Sequence, residues 1–136
     1  MISPSLDSLR IFLHVIAASV WVGGQIVLGG LVPQVRRTNP EALRTVARAF
    51  GRVAWPAFGV ALLTGVWSLL AVDPSEQGST YAVTLAVKLL LVGVAAAATV
   101  IHSLGRTKLA LALGGAVGLM SSLAVMWLGV LLSNAG

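Results

Sequence analysis

Four long apolar runs separated by polar connections set the pattern of this chain: residues 9–32, 53–72, 81–104 and 109–132. Each run reaches the roughly 20 residues that a helix needs to cross a hydrocarbon core about 30 Å thick. The connections at residues 73–80 and 105–108 are short, so consecutive helices are expected to lie side by side and antiparallel. The expected fold is therefore all-α, an integral membrane four-helix up-down-up-down bundle forming a single membrane domain over residues 1–136. The first run opens with Asp7 and Arg10 rather than a basic cluster, is longer than a signal-peptide core and continues to Pro33. These features predict a retained helix.

Composition strengthens the membrane assignment, because 57% of residues are apolar and only 10% charged, with a mean hydropathy of +0.96. Such values lie far outside soluble-domain habits. The absence of cysteine excludes disulfides, zinc–thiolate sites, iron–sulfur clusters and thiol redox chemistry. The net charge of +5 becomes a topology signal once the charges are placed. Arg36, Arg37, Arg44, Arg48 and Arg52 lie in the first connection and Arg106 and Lys108 in the third, whereas the second holds Asp73 and Glu76 without a base. The positive-inside rule then predicts an inner-membrane protein with the first and third connections cytoplasmic and both termini outside. Nucleic acid is not an expected partner, since topology accounts for the basic residues and no soluble module presents them.

Between the first two runs, Thr38-Asn39-Pro40-Glu41 reads as a helix start, with a polar cap, a proline in the first turn and an acid at the positive end of the dipole. The second helix is expected to begin before the membrane, as an extension over residues 40–52. Along it Arg44, Arg48 and Arg52 recur every four residues, a basic stripe suited to anionic lipid headgroups. Pro56, just after Trp55, is expected to bend the helix or loosen its hydrogen bonding. Gly114-x-x-x-Gly118 and the group Ala17, Ala18, Gly23, Gly24 suit close helix approach, inside the bundle or in a homodimer.

Two ionisable side chains, His14 and Lys88, stand well inside apolar runs. Such a group costs roughly 2.5–3.5 kcal/mol at the centre of a membrane helix and commonly marks a ligand, proton or ion site. The structural alternative is a snorkelling lysine and a histidine bonded to a neighbouring helix. Counting about five to seven residues inward from each outer helix end places His14, Trp67, Lys88 and Met126 in one layer, roughly 7–10 Å below the outer boundary. His102 falls about 24 Å from His14 along the membrane normal, too far for a shared metal or heme. Trp21 and Gln25 share the face of His14; Thr84, Lys88, Thr99 and His102 share another; Ser122, Met126 and Ser133 a third. A polar seam of this kind can guide protons, ions or a cofactor's polar edge, and its hydroxyls can equally bond to helix carbonyls. The candidate site is thus His14, Lys88 and Met126, with Trp21, Gln25 and Trp67 as surrounding groups. Its metal donors are His14 and Met126, and Met120 and Met1 are further thioethers.

The first run reads HVIAASVWVGGQIVLGGLVP from His14 to Pro33. Together with LLTG around Thr64-Gly65 and VKLLLV around Lys88, it resembles the membrane domain of the copper-resistance D family, in the same order on three successive helices. That resemblance implies copper uptake or handling. Residue chemistry supports it in part: Cu(I) favours thioether and imidazole donors, while the ammonium of Lys88 argues against a simple metal cage. The arrangement of a first-helix histidine, a tryptophan-glycine turn, a following proline and a third-helix lysine is also similar to the HemJ-type protoporphyrinogen oxidases. This second resemblance implies heme b, with His14 as axial ligand, Met126 as a sixth ligand and Lys88 paired with a propionate, another tetrapyrrole carboxylate or an electron acceptor. The chain departs from the oxidase pattern at Trp21-Val22-Gly23-Gly24 and at Gln34, where that pattern suggests arginine.

No apolar run holds a carboxylate, which removes Ser-His-Asp, dicarboxylate and carboxylate-metal chemistry. Three functions remain: a copper-handling membrane protein that is not an enzyme, a heme-b redox protein or oxidase, and a non-catalytic scaffold that works through a membrane partner.

Overall fold

The structure, a computed structural model, describes residues 2–135. It is all-α, with four long helices: α1 over Leu6–Thr38, α2 over Ala42–Ala71, α3 over Ser79–Leu104 and α4 over Lys108–Ser133. All four are long and apolar enough to cross a membrane, which makes the chain a multi-pass membrane protein. A single 3-10 turn, Pro74–Glu76, lies in the connection between α2 and α3. The chain divides into two compact units, the first ending at Val72 and the second starting at Asp73.

Helix ends follow local chemistry. Ser5 caps α1 through a capping box, its hydroxyl accepting from the Ser8 amide at 3.1 Å while Ser8 Oγ accepts from the Ser5 amide at 3.2 Å. Thr107 caps α4 by accepting from the Ala110 amide. Before α3, Gly78 has φ of 87°, a left-handed value at no cost for glycine.

The turn between α1 and α2 corrects one expectation. Thr38 does not cap α2: it is the last residue of α1, and its hydroxyl bonds back to the Gln34 carbonyl at 3.0 Å. Asn39 caps the C-terminus of α1, its amide donating to Val35 O. The second helix starts at Ala42, with Glu41 at the N-cap making no side-chain capping bond. As expected, it is already helical through the arginine stripe before the apolar run begins.

In the first unit each step forward along α1 is met by a step back along α2, the signature of an antiparallel pair. Gly24 lies against Phe50, Trp21 against Trp55 and Phe58, and His14 against Thr64. Trp21 and Val22 are buried together with Ala54, and Phe50 and Phe58 pack around them. Ring centroids lie 5.5 Å apart for Trp21–Trp55 and 4.5 Å for Trp21–Phe58, within the range where aromatic pairs attract beyond simple area burial.

The second unit is an antiparallel pair of another kind. Gly114 sits against the backbone of α3, and a Cβ there would lie 2.8 Å from the His102 amide nitrogen and 2.9 Å from Ala98 O. One turn on, a Cβ at Gly118 would lie 3.2 Å from Thr99 Oγ1. The small-x-x-x-small motif is therefore used within the unit, against buried Ala95 and Ala98, where small residues let backbones approach.

Candidate functional site

The buried face of α1 runs through Arg10, Ala17 and Trp21, at spacings of seven and four residues that a helix places on one side, and His14 falls between them on the same side. His14 is half-buried and reaches α2, where its Nδ1 lies 2.8 Å from Thr64 Oγ1. Thr64 is buried and its hydroxyl lies 2.7 Å from Val60 O and 3.1 Å from Ala61 O. A threonine hydroxyl has one hydrogen, and carbonyls can only accept, so that hydrogen goes to the α2 backbone. Thr64 Oγ1 then accepts from His14 Nδ1–H. The proton on Nδ1 leaves Nε2 as the ring nitrogen that holds the lone pair, the arrangement by which outer hydrogen bonds orient metal-ligating histidines. Gly65 completes the seat: a Cβ there would lie 3.7 Å from His14 Cε1, so the ring rests directly against α2.

Thr64 is the functional residue that reasoning from sequence passed over. It stood in the LLTG segment, but only register between α1 and α2 assigns it to His14. Arg10 is another, one turn before His14 and 6% exposed. Its guanidinium pairs with the exposed carboxylate of Asp7 at 3.2 Å, and its Nε is the single buried side-chain polar atom without a partner among the described residues.

Trp21 belongs to the packed centre of the first unit, between Trp55 and Phe58. Gln25 is half-buried and its side-chain amide donates to Trp21 O at 3.2 Å. Trp67 is exposed on α2, one turn after Thr64. In the second unit Lys88 lies against α4 at Gly129, where a Cβ would come within 3.3 Å of its Nζ; the absent side chain makes room for the lysine. Met126, one turn before Gly129, is exposed, as is Met120. Met1 lies outside the described residues.

On the expected polar seam, Thr84 and Thr99 donate to the carbonyl four residues earlier and Ser133 to the carbonyl three residues earlier. Thr64, Ser68 and Ser121, outside that seam, likewise donate to the carbonyl four residues earlier. Their hydrogens are committed to the backbone, the local competition that serine and threonine exert in helices. His102, exposed at the far end of α3, has Nδ1 2.6 Å from Leu111 O on α4 and ties that end of the second pair together. Among the described residues no three His, Asp or Glu side chains gather as a metal-binding group.

No protein-family model, no curated protein and no solved structure matches the chain.

Proposed function

We propose that this is a copper-handling inner-membrane protein of the copper-resistance D type, with His14 as the imidazole ligand in the outer half of the first helical pair. The observation that carries the reading is the bond from His14 Nδ1 to Thr64, which directs the lone pair to Nε2. Imidazole in this tautomer is a good ligand for Cu(I), and thioether is another. A thioether is the companion donor that this chemistry favours, and the protein acts as a carrier rather than an enzyme. In the proposed topology the α1–α2 turn and the α3–α4 turn are cytoplasmic. Cysteines introduced at Ser75 and Thr107 into this cysteine-free chain test it: a membrane-impermeant reagent labels Ser75→Cys in intact cells and spares Thr107→Cys, and the reverse pattern overturns the topology.

The same ring orientation also suits an axial ligand of heme b, the second reading. Absorption spectra of the detergent-purified protein, oxidised and reduced, after expression with ample copper and heme, separate the two. The copper reading expects no Soret band and copper that falls in His14→Ala. A stoichiometric Soret band that shifts on reduction and is lost in His14→Ala replaces it with the heme reading. If neither ligand copurifies and His14 variants act only through a membrane partner, the scaffold reading stands instead.

A further inference from the structure

The structure assigns a lateral anionic-lipid site to the stripe Arg44, Arg48 and Arg52 on α2. All three side chains are exposed, and none has an ion pair or hydrogen bond among the described residues. Glu41, three residues before Arg44, does not pair with it; the ion pair present is Arg10–Asp7. The arginines belong to an unbroken helix that runs from Ala42 into the membrane-crossing run.

Their direction identifies the partner. Phe50 and Ala54 mark the side of α2 that packs on α1, Phe50 against Gly24 and Ala54 only 2% exposed. At roughly 100° per residue, Arg48 and Arg52 stand about 120–160° around the helix from Phe50 and Ala54, and Arg44 about 80–120°. They are thus turned away from α1, across the helix axis rather than along it. Trp55 lies three residues beyond Arg52 and is 38% exposed, as befits an aromatic anchor at the membrane interface. Along the axis from Trp55, Arg52 lies about 4 Å out and Arg48 about 10 Å, at the level of the headgroups, and Arg44 about 17 Å, beyond them. A soluble partner would approach along the axis, at the Asn39–Glu41 turn, whereas laterally aimed guanidinium groups meet the phosphates of neighbouring lipids. Guanidinium pairs with phosphate through two parallel hydrogen bonds, so the occupant is the phosphodiester headgroup of an anionic lipid such as phosphatidylglycerol. The inference does not depend on copper or heme, nor on which face of the membrane the turn occupies.

The test is native mass spectrometry of the full chain released from nanodiscs with equal amounts of phosphatidylglycerol and phosphatidylcholine. Wild type is expected to retain phosphatidylglycerol preferentially. Arg44→Gln/Arg48→Gln/Arg52→Gln is expected to lower that preference by roughly 100-fold, from the attraction of each basic residue near an anionic surface. The triple Arg→Lys variant, which keeps the charge but not the two-pronged geometry, should fall between them. Arg106→Gln/Lys108→Gln, in the second unit, should retain the preference, and helical circular dichroism checks that every variant is folded. Equal retention of both lipids by wild type overturns the assignment. So does equal loss of phosphatidylglycerol in the stripe variant and the second-unit variant.

Discussion

The two helical pairs of this protein solve the same problem in opposite ways. In the first, α1 and α2 are held by large rings: Trp21 meets Trp55 and Phe58, and Phe50 covers Gly24. In the second, α3 and α4 approach backbone to backbone at Gly114 and Gly118, beside Ala95 and Ala98. Lipid tails are as apolar as the side chains, so neither pair gains from burial alone and both depend on close packing. The ring-packed pair leaves room between its helices for a polar contact, and that is where His14 meets Thr64. In the glycine-packed pair the polar contact between helices lies at its end, where His102 meets Leu111 O, and Lys88 is accommodated where Gly129 opens a notch.

Substitutions can break this contrast at either end. The largest effect is expected from Trp21→Ala, which deletes the centre of the aromatic cluster and should cost about 3–5 kcal/mol, read by reversible unfolding in mixed micelles. Gly114→Ala comes next, at about 1–3 kcal/mol, because the new Cβ would collide with the α3 backbone, which cannot step aside. Gly24→Ala sharpens the point. Its Cβ would collide with the edge of the Phe50 ring, a side chain that can turn away, so the same substitution should cost less there. Equal costs at the two glycines would remove the distinction between the pairs.

Smaller effects probe the polar contacts. Thr64→Val keeps the shape of α2 and removes the acceptor for His14; its stability cost should be about 0.6 kcal/mol, typical of hydrogen bonds between membrane helices, while its effect on ligand binding exceeds that. The smallest concerns the connection between the pairs. Asp73 accepts from the hydroxyl and then the amide of Ser75, and these bonds hold its carboxyl below the usual carboxylate range. A depressed value means that the contribution is present above the ordinary carboxylate range and is lost as pH falls through the lowered value. Amide exchange at Ser75 should therefore lose protection on acidification below that range, and Asp73→Asn should weaken the pH dependence. An unchanged profile in the variant would show that the Ser75 contacts do not set it.

The four helices were legible in the sequence because hydrophobic length leaves few alternatives: the expected runs 9–32, 53–72, 81–104 and 109–132 each lie within one helix to a residue at their ends. The α1 C-terminus was not, because Thr38 can serve either as a cap for the next helix or as a donor to its own, and only the turn geometry decides. Helical phase correctly grouped Lys88, Thr99 and His102 on one side of α3, the side that faces Gly129, Gly118 and Gly114–Gly115. His14 was legible as a lone ionisable group in an apolar run. Its partner was not, since Thr64 lies 50 residues away and register between helices is not written in periodicity. Arg10 was hidden for a related reason: near a helix end it reads as a surface charge, and its burial depends on packing.

The most direct test of the account is a Cu(I) competition titration, against a chromophoric chelator, of the detergent-purified full chain as wild type, Thr64→Val and His14→Ala. Wild type is expected to take copper from the chelator, Thr64→Val to bind it more weakly because the imidazole is no longer held by Nδ1, and His14→Ala to fail to compete. Equal copper uptake by wild type and His14→Ala would contradict it.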